Sequence, residues 1–224
     1  MHDHPTRQLN FERKDEDIML QTAQRLADNL STRRSVRAFS SEPIPLDVVR
    51  HAIRAAAQSP SGANKQPWTF VLITDPEIKQ KIRDAAEAEE RTFYEERAPQ
   101  RWLDDLKPFG TNATKPHLTE APALIAVFAQ NQGENKEQHY YVKESVGLAT
   151  GVLIATLHLS GLATLTHTPS PMNFLHQVLN RPNHERAFLL LPVGYPKEDC
   201  EVPDIQRKST EQFLVEHHAS STKP

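Results

Sequence analysis

Residues 59–74 read SPSGANKQPWTFVLIT, and they contain the change of pattern that decides the fold. A cluster of helix breakers, SPSG, comes first, and a run of β-branched and aromatic residues, WTFVLIT, follows a short turn later. Serine, proline and glycine end helices, whereas such a run favours a half-buried strand. The stretch therefore predicts that a helix gives way to a strand through a tight turn.

Helical patterns lie on both sides of this strand. Residues 12–30 and 43–56 repeat their core-facing positions at helical spacing, the second segment behind two prolines. After the strand, Asp75 and Pro76 fit the N-cap and the first position of a further helix that continues towards Arg97. The strand is thus expected to connect two helices.

The rest of the chain repeats this alternation. Strand patterns recur at residues 123–130, 164–168 and 187–194, and residues 98–122 form a long excursion with weak periodicity. Residues 145–163 are uncharged and end in a glycine-containing turn, which favours a buried core helix over a membrane span. We therefore predict an α+β fold, a three-layer αβα domain with a mixed central sheet and extended terminal arms.

Bulk properties exclude some functions. A formal net charge of −3 argues against a general nucleic-acid binder, which normally carries a basic excess. Cys200 is the single cysteine, so intramolecular disulfides and thiol-pair redox chemistry are impossible, and redox activity would require a bound cofactor. The N-terminal residues lack the apolar core of a signal peptide, and we expect a soluble, cytoplasmic protein without membrane or nucleic-acid partners.

A basic cluster precedes the second helix. Arg33, Arg34 and Arg37 surround Ser35, and guanidinium groups beside a hydroxyl can grip a phosphate through bidentate hydrogen bonds. Taken alone, the cluster also fits a solvated basic turn or a nucleic-acid patch. Its residues indicate an anion site without naming the anion.

Two further groups of residues carry chemical information. Ser61, Gly62 and Ala63 form a turn in which backbone N–H groups can approach a planar ligand, although an ordinary helix–strand connection has the same composition. Glu90 and Tyr94 are four residues apart on a predicted helix, and Lys115 follows in the long excursion. A carboxylate and an ammonium together suit an amino-acid ligand, while a charged surface helix is the alternative.

Together these segments resemble the nitroreductase family over roughly residues 30–209. The resemblance extends to the strand end VGYP at 193–196, to THTP at 166–169, and to VPD at 202–204 followed by Arg207. It implies that flavin mononucleotide (FMN) carries the electrons while the protein supplies binding, orientation and electrostatics.

The resemblance also implies roles for individual residues. The phosphate and ribityl chain of FMN would be held by Arg33, Arg34, Ser35, Arg37 and Arg207. Ser61 and Gly62 would border the flavin ring, and the Ala63 N–H would meet the substrate phenolate. The flavin would also be contacted by Thr166, His167 and Thr168, with the catalytic Thr168 hydroxyl near N5, where it favours one-electron steps.

Within that family, Glu90, Tyr94 and Lys115 resemble the lid of the enzymes that remove iodide from iodotyrosine. The resemblance implies reductive dehalogenation of halotyrosines, with these three residues holding the zwitterion. NAD(P)H would donate electrons directly or through a reductase. Separately, extended terminal arms often cross onto a partner subunit, which favours a homodimer. The alternatives are a general FMN nitro- or quinone reductase using NAD(P)H, and a non-catalytic flavin- or halotyrosine-binding protein.

The same reading divides the chain into three parts. Residues 1–30 are expected to form an N-terminal arm and helix, residues 31–209 the FMN-binding catalytic domain with a lid at about 87–118, and residues 210–224 a tail. Paired histidines occur at His2 and His4 and at His217 and His218, but only at the two ends of the chain. We expect no metal site.

Overall fold

The computed structural model describes residues 5–218, so His2, His4 and residues 219–224 lie outside the described residues. The helices in this range are α1 (Glu16–Ser31), α2 (Leu46–Ala56), α3 (Pro76–Thr92), α4 (Gln100–Leu106), α5 (His117–Glu120), α6 (Val142–Leu159) and α7 (Asn173–Val178). The strands are β1 (Trp68–Ile73), β2 (Ala123–Gln130), β3 (Ala163–Thr164) and β4 (Glu185–Gly194). A π-helical turn at Phe93–Arg97 continues α3.

The strands form one sheet in the order β1-β2-β4-β3. Each neighbouring pair is antiparallel, and the longest ladder joins β2 to β4. Within residues 5–218 the one parallel pairing is a bridge between Ser35 and Thr164, so the predicted mixed sheet is antiparallel in its four strands and parallel only at this edge. The strands β1, β2, β4 and β3 alternate in direction across the sheet. The basic segment, residues 33–37, runs beside β3 in the same direction as that strand.

Helices cover both faces of the sheet, which confirms the three-layer α+β prediction. Strand β2 is buried along nearly its whole length, and alternate residues point to opposite layers. Ile125 and Val127 pack with α2 and α6, whereas Leu124 and Phe128 pack with α3, α5 and α7. Burial on both faces explains why ALIAVFAQ is continuously apolar.

Local signals account for where α3 and α6 begin and end. The Asp75 carboxylate accepts hydrogen bonds from the backbone N–H groups of Glu77 and Ile78, at 2.8 and 3.2 Å, as expected of an N-cap. At the end of α6, Gly161 adopts a φ of +83°, a left-handed conformation that favours glycine. These residues therefore fix the limits of two helices on opposite faces of the sheet.

The apolar helix α6 is a core helix on one side only. Its inner face buries Val146, Ala149, Leu153 and Leu157, while Leu148 and Val152 remain exposed on its outer face. By length and composition α6 meets the criteria for a membrane span, but its inner face packs against α2 and the sheet. Within the described residues, α1 meets α6 only near His158, whose Nε2 lies 2.9 Å from the Asn29 carbonyl oxygen, and Leu148 and Val152 stay uncovered.

The two predicted arms lie on the surface. Helix α1 has no buried residue and begins at Glu16, later than the pattern from residue 12 indicated. After β4 the chain is extended, with one 3-10 turn at Thr210–Gln212. Both arms therefore contribute little to the core of this chain.

Replacement of Ile82 by alanine tests the α3 layer. The Ile82 side chain is fully buried, and a large-to-small change at such a site lowers the free energy of unfolding by about 2–5 kcal/mol. The neighbouring exposed Lys81→Ala is the matched control and should change it by less than about 0.5 kcal/mol. Urea unfolding monitored by circular dichroism measures both; equal effects would contradict the assigned orientation of α3.

Candidate active site

The basic segment runs along the sheet edge beside β3. Val36 donates its backbone N–H to the Thr164 carbonyl at 3.1 Å, and its side chain is buried in the core. Because side chains alternate along an extended segment, Ser35 and Arg37 are directed away from the core that holds Val36. The sequence thus places a hydroxyl and a guanidinium on the open side of the sheet edge.

Arg207 brings the C-terminal arm to this segment. Its guanidinium donates to the carbonyls of Ser31 and Arg33, at 2.8 and 2.6 Å. A cavity of about 150 Å³ forms there. Its polar lining comprises Arg33, Arg34, Ser35, Arg37 and Arg207, the five residues assigned to the phosphate end of FMN.

The electrostatics of this small cavity favour an anion. None of its four arginines forms a salt bridge to a carboxylate within residues 5–218. Burial lowers the pKa of Arg33, and the positive charges of Arg207 and Arg34 lower it further. A bound phosphate would relieve this mutual repulsion, so the residues fit the phosphate end of FMN.

A larger cavity of about 460 Å³ adjoins the first, and Arg37 lines both. Its walls include the end of α3, the π-helical turn, the excursion before α5 and the segment after β3. The predicted residues that line it are Glu90, Tyr94, Lys115, Thr166, His167 and Thr168. The pair of cavities suits an elongated ligand with an anionic end and a broad, flat body.

A buried ion pair lies on the wall of the larger cavity. The Lys115 Nζ is 3.2 Å from the Glu90 Oε2, and the side chains are only 8% and 13% exposed. Lys115 also donates to the Asn112 carbonyl. Charges removed from water in this way need partners, which the two residues give each other.

Tyr94 sits next to the pair in the π-helical turn. Its hydroxyl donates to Thr111 Oγ1 at 3.0 Å, and Lys115 Nζ lies 5.8 Å from the centroid of its ring. Phe93 packs edge-to-face on both Tyr94 and Trp102, with ring centroids 5.4 and 5.0 Å apart. The site thus presents one cation, one anion and an aromatic wall.

The segment after β3 forms the opposing wall. His167 exchanges two backbone hydrogen bonds of 2.9 Å with Leu190, which ties the segment to the sheet. Thr166 and Thr168 are exposed on either side of the buried His167, so their hydroxyls lie on the open side. The structure therefore places Thr168 where a ligand in the cavity can reach it.

His167 is buried against a second histidine. The ring centroids of His117 and His167 are 5.4 Å apart, in an edge-to-face arrangement, and neither Nε2 atom has a hydrogen-bond partner. Burial lowers the pKa of His117 to about 4, with a further contribution from Lys115. Burial lowers the pKa of His167 to about 3, with a further contribution from His117. Both rings are uncharged at neutral pH.

Ser61, Gly62 and Ala63 do not line either cavity. Their turn follows α2, on the sheet face opposite to α3, and the Gly62 N–H faces Ser145 Oγ of α6 at 3.4 Å. A Cβ at Gly62 would lie 2.7 Å from the Tyr140 carbonyl oxygen, so the close backbone approach requires glycine. Within one chain, these predicted flavin contacts are separated from the others.

Several residues of the site fall within the predicted lid, but the sequence assigned them no role of their own. Glu87, Thr111, Asn112 and His117 all contact predicted site residues. For Glu87 the sequence does contain a signal: it precedes Glu90 by three residues on a predicted helix, and this spacing indicates that the two side chains are neighbours on one face. The others lie in or beside an irregular excursion where no periodicity indicates which residues meet.

The sequence profile of the nitroreductase family matches residues 30–195. The iodotyrosine deiodinase of Haliscomenobacter hydrossis is 53% identical over 187 residues, covering 82% of this chain and 84% of that protein. Iodotyrosine deiodinase 1 of Rattus norvegicus is 44% identical over 205 residues, covering 89% and 72%. A crystal structure of oxidized iodotyrosine deiodinase bound to FMN and 3-iodo-L-tyrosine superposes with a TM-score of 0.74 at 33% identity, covering 87% of this chain and 99% of that one.

The histidine pair predicts a pH-dependent stability. Both pKa values are below those of unfolded histidine, so the unfolded chain binds more protons and stability falls as pH drops from about 6.5 towards 4. Each imidazole contributes up to about 1.4 kcal/mol per pH unit below about pH 6. His117→Phe or His167→Thr should reduce this slope, as measured by urea unfolding between about pH 7 and 5.

The matched control is the exposed His51→Phe, which should keep the wild-type slope. An unchanged slope in both buried-site variants would show that other groups cause the dependence.

Proposed function

The chain belongs to the nitroreductase family, and we propose that within it the protein is an FMN-dependent dehalogenase that converts 3-iodotyrosine to tyrosine and iodide. The observation that carries the proposal is the buried Lys115–Glu90 pair beside Tyr94, on the wall of the cavity that Arg37 connects to the phosphate-binding cluster. The identity of 44–53% to the two curated deiodinases supports the same reaction.

FMN is the cofactor that the basic cavity fits. Arg33, Arg34 and Arg207 hold its phosphate, Ser35 adds a hydroxyl, and Arg37 reaches from the phosphate cavity to the larger one. When bound and reduced, the flavin would supply two electrons that, with one proton, replace the carbon–iodine bond by a carbon–hydrogen bond and release iodide. Thr166, His167 and Thr168 form the protein wall beside its ring, and the exposed Thr168 hydroxyl is proposed as the group that hydrogen-bonds N5.

Substrate selection follows from the charges of the lid. Lys115 binds the carboxylate of the amino acid and Glu90 binds its ammonium, while Tyr94 adds a hydrogen-bonding hydroxyl and an aromatic wall. A ligand without the amino-acid end offers no opposite charges to Lys115 and Glu90, so it gains no binding energy from the pair. A flat nitroaromatic gains nothing from this arrangement.

The active enzyme is proposed to be a homodimer whose sites are completed across the interface. Ser61, Gly62 and Ala63 are assigned to the flavin ring and to the substrate phenolate, yet they lie apart from the cavities of their own chain. Apolar residues remain exposed on α1 and on the outer face of α6, as expected of surfaces that a partner covers: Ile18, Met19, Leu20, Leu26, Leu148 and Val152.

The remaining assignments follow from this function. Residues 31–209 are proposed as the catalytic domain with the lid at about 87–118, and residues 1–30 and 210–224 as arms. The electron donor is NAD(P)H, either directly or through a reductase. We place the enzyme in the cytoplasm, where its single cysteine remains reduced.

Anaerobic titration of the dithionite-reduced holoenzyme with 3-iodotyrosine tests the reaction. We expect flavin reoxidation with one iodide released per flavin, measured by absorbance and an iodide electrode. Glu90→Gln and Lys115→Ala should each weaken iodotyrosine binding by about tenfold or more while FMN stays bound, because each leaves a charge without its partner. Asp84→Asn, on the exposed face of α3, is the control.

Different results would support the other functions. If the reduced flavin does not react with 3-iodotyrosine but is reoxidised by nitroaromatics, the protein is a general nitroreductase. Tight iodotyrosine binding without electron transfer would identify a binding protein, and loss of FMN in the lid variants would refute the lid assignment.

A subunit complementation experiment tests the shared site. Lys115→Ala and Gly62→Ala chains, each expected to lose most activity alone at 3-iodotyrosine concentrations well below KM, are co-expressed with different tags. If each site takes its lid from one chain and its turn from the other, a statistical mixture recovers about a quarter of wild-type activity. No recovery in purified heterodimers, or full activity of Gly62→Ala alone, would contradict the shared site.

A further inference from the structure

One face of α3 carries a row of charged residues directed at the segment before β2. Lys79 Nζ donates to the carbonyls of Thr119 and Ala121, at 3.1 and 2.8 Å. Arg83 Nη1 donates to Thr119 Oγ1 at 2.9 Å, and its Nε donates to Glu87 Oε1 at 2.8 Å. Spaced four residues apart, the three side chains follow one helix face.

Glu87 is the member of this row that contacts a residue of the ion pair. Its Oε1 also accepts the backbone N–H of Lys115 at 2.8 Å, and its side chain is 17% exposed. Burial raises the pKa of Glu87, but the hydrogen bonds from Lys115 and Arg83 outweigh that effect and hold the pKa below its ordinary value. The carboxylate is therefore stabilised in its charged form at this position.

Both the backbone and the side-chain ammonium of Lys115 are consequently held in place. Its backbone N–H is fixed by Glu87, and its ammonium is fixed by Glu90 and the Asn112 carbonyl. A lysine side chain has many rotamers, so the position of its backbone decides which of them can bring the ammonium to Glu90. Glu87 and Glu90 are neighbours on α3, and the helix therefore sets both the backbone and the ammonium of Lys115.

We propose that Glu87 is a positioning residue for substrate recognition, whose carboxylate holds the Lys115 backbone so that the ammonium can receive the carboxylate of an amino-acid substrate. This inference rests on the proposed halotyrosine function. Glu87 does not line the substrate cavity and so acts through Lys115. It determines how strongly the enzyme prefers substrates with an amino-acid end over simple halophenols.

The neighbouring contacts separate this role from general support of the fold. Lys79 binds the carbonyls that end α5 without involving Glu87, and Arg83 binds Thr119 directly. Removal of the Glu87 carboxylate therefore leaves the α5 end attached and frees mainly the Lys115 backbone. Glu87→Gln keeps an oxygen acceptor for the Lys115 N–H, whereas Glu87→Ala removes it.

The test compares two substrates on the FMN-loaded enzyme, 3-iodotyrosine and 2-iodophenol, which lacks the amino-acid end. Glu87→Ala should raise KM for 3-iodotyrosine about tenfold with little change in kcat, because a misplaced ammonium costs binding. The kinetics of 2-iodophenol should be unchanged, and Glu87→Gln should recover part of the lost affinity. Asp84→Asn also replaces a carboxylate by an amide, as Glu87→Gln does, but on the exposed side of α3. It should match wild type with both substrates.

Two results would overturn the inference. An equal loss with both substrates, accompanied by a lower Tm, would assign Glu87 to structure alone. An unchanged KM for 3-iodotyrosine in Glu87→Ala would show that the Lys115 backbone needs no such support.

A binding measurement keeps this inference separate from the proposed reaction. The oxidised, FMN-loaded protein is titrated with 3-iodotyrosine and with 2-iodophenol, and quenching of flavin fluorescence gives each Kd. If wild type binds 3-iodotyrosine but releases no iodide, the proposed function fails. A selective tenfold rise of that Kd in Glu87→Ala would still support the positioning role.

Discussion

Strand β2 imposes the constraint on which the remaining structure depends. It is paired on both edges and buried on both faces, so its apolar side chains require a helix layer above and another below. The layer of α2 and α6 leaves an apolar outer surface on α6. The layer of α3, α5 and α7 carries the larger cavity. The ion pair and the charged face of α3 are therefore anchored to the most deeply buried strand of the molecule.

The cavity system separates two kinds of electrostatic environment. In the small cavity, arginines repel each other and lack carboxylate partners within residues 5–218, which favours binding of an anion from solution. In the larger cavity, Lys115 and Glu90 already neutralise each other. Such a pair adds little net charge, so it selects ligands by the geometry of two opposite charges instead of by attraction to either sign. The small cavity therefore selects its ligand by negative charge, and the larger cavity selects its ligand by the arrangement of two opposite charges.

Much of this arrangement could be predicted from sequence, because local signals were strong. The breaker cluster before Trp68, the Asp75 cap and the apolar run of β2 each have one favoured structural interpretation, and the structure agrees with all three. The resemblance to a family then supplied a role for residues such as Glu90, whose pattern alone also fitted a surface helix.

The parts that could not be predicted depend on contacts distant in sequence. No local pattern shows that His117 packs on His167, or that Glu87 accepts the Lys115 N–H. The antiparallel sheet also depends on which strands become neighbours, and the helix–strand alternation does not determine this. The separation of Ser61–Ala63 from the cavities depends on which face of the sheet carries the turn, and the local sequence does not specify that face.

Arg207 has a consequence for the behaviour of the C-terminal arm. Its guanidinium holds the carbonyls of Ser31 and Arg33, so one side chain joins the arm, the end of α1 and the anion cluster. An anion that binds the cluster and the docking of the arm are then thermodynamically linked, and each changes the equilibrium of the other by the same factor. Where the anion strengthens the docking of Arg207, the protection of the arm from proteases would rise as the site is loaded.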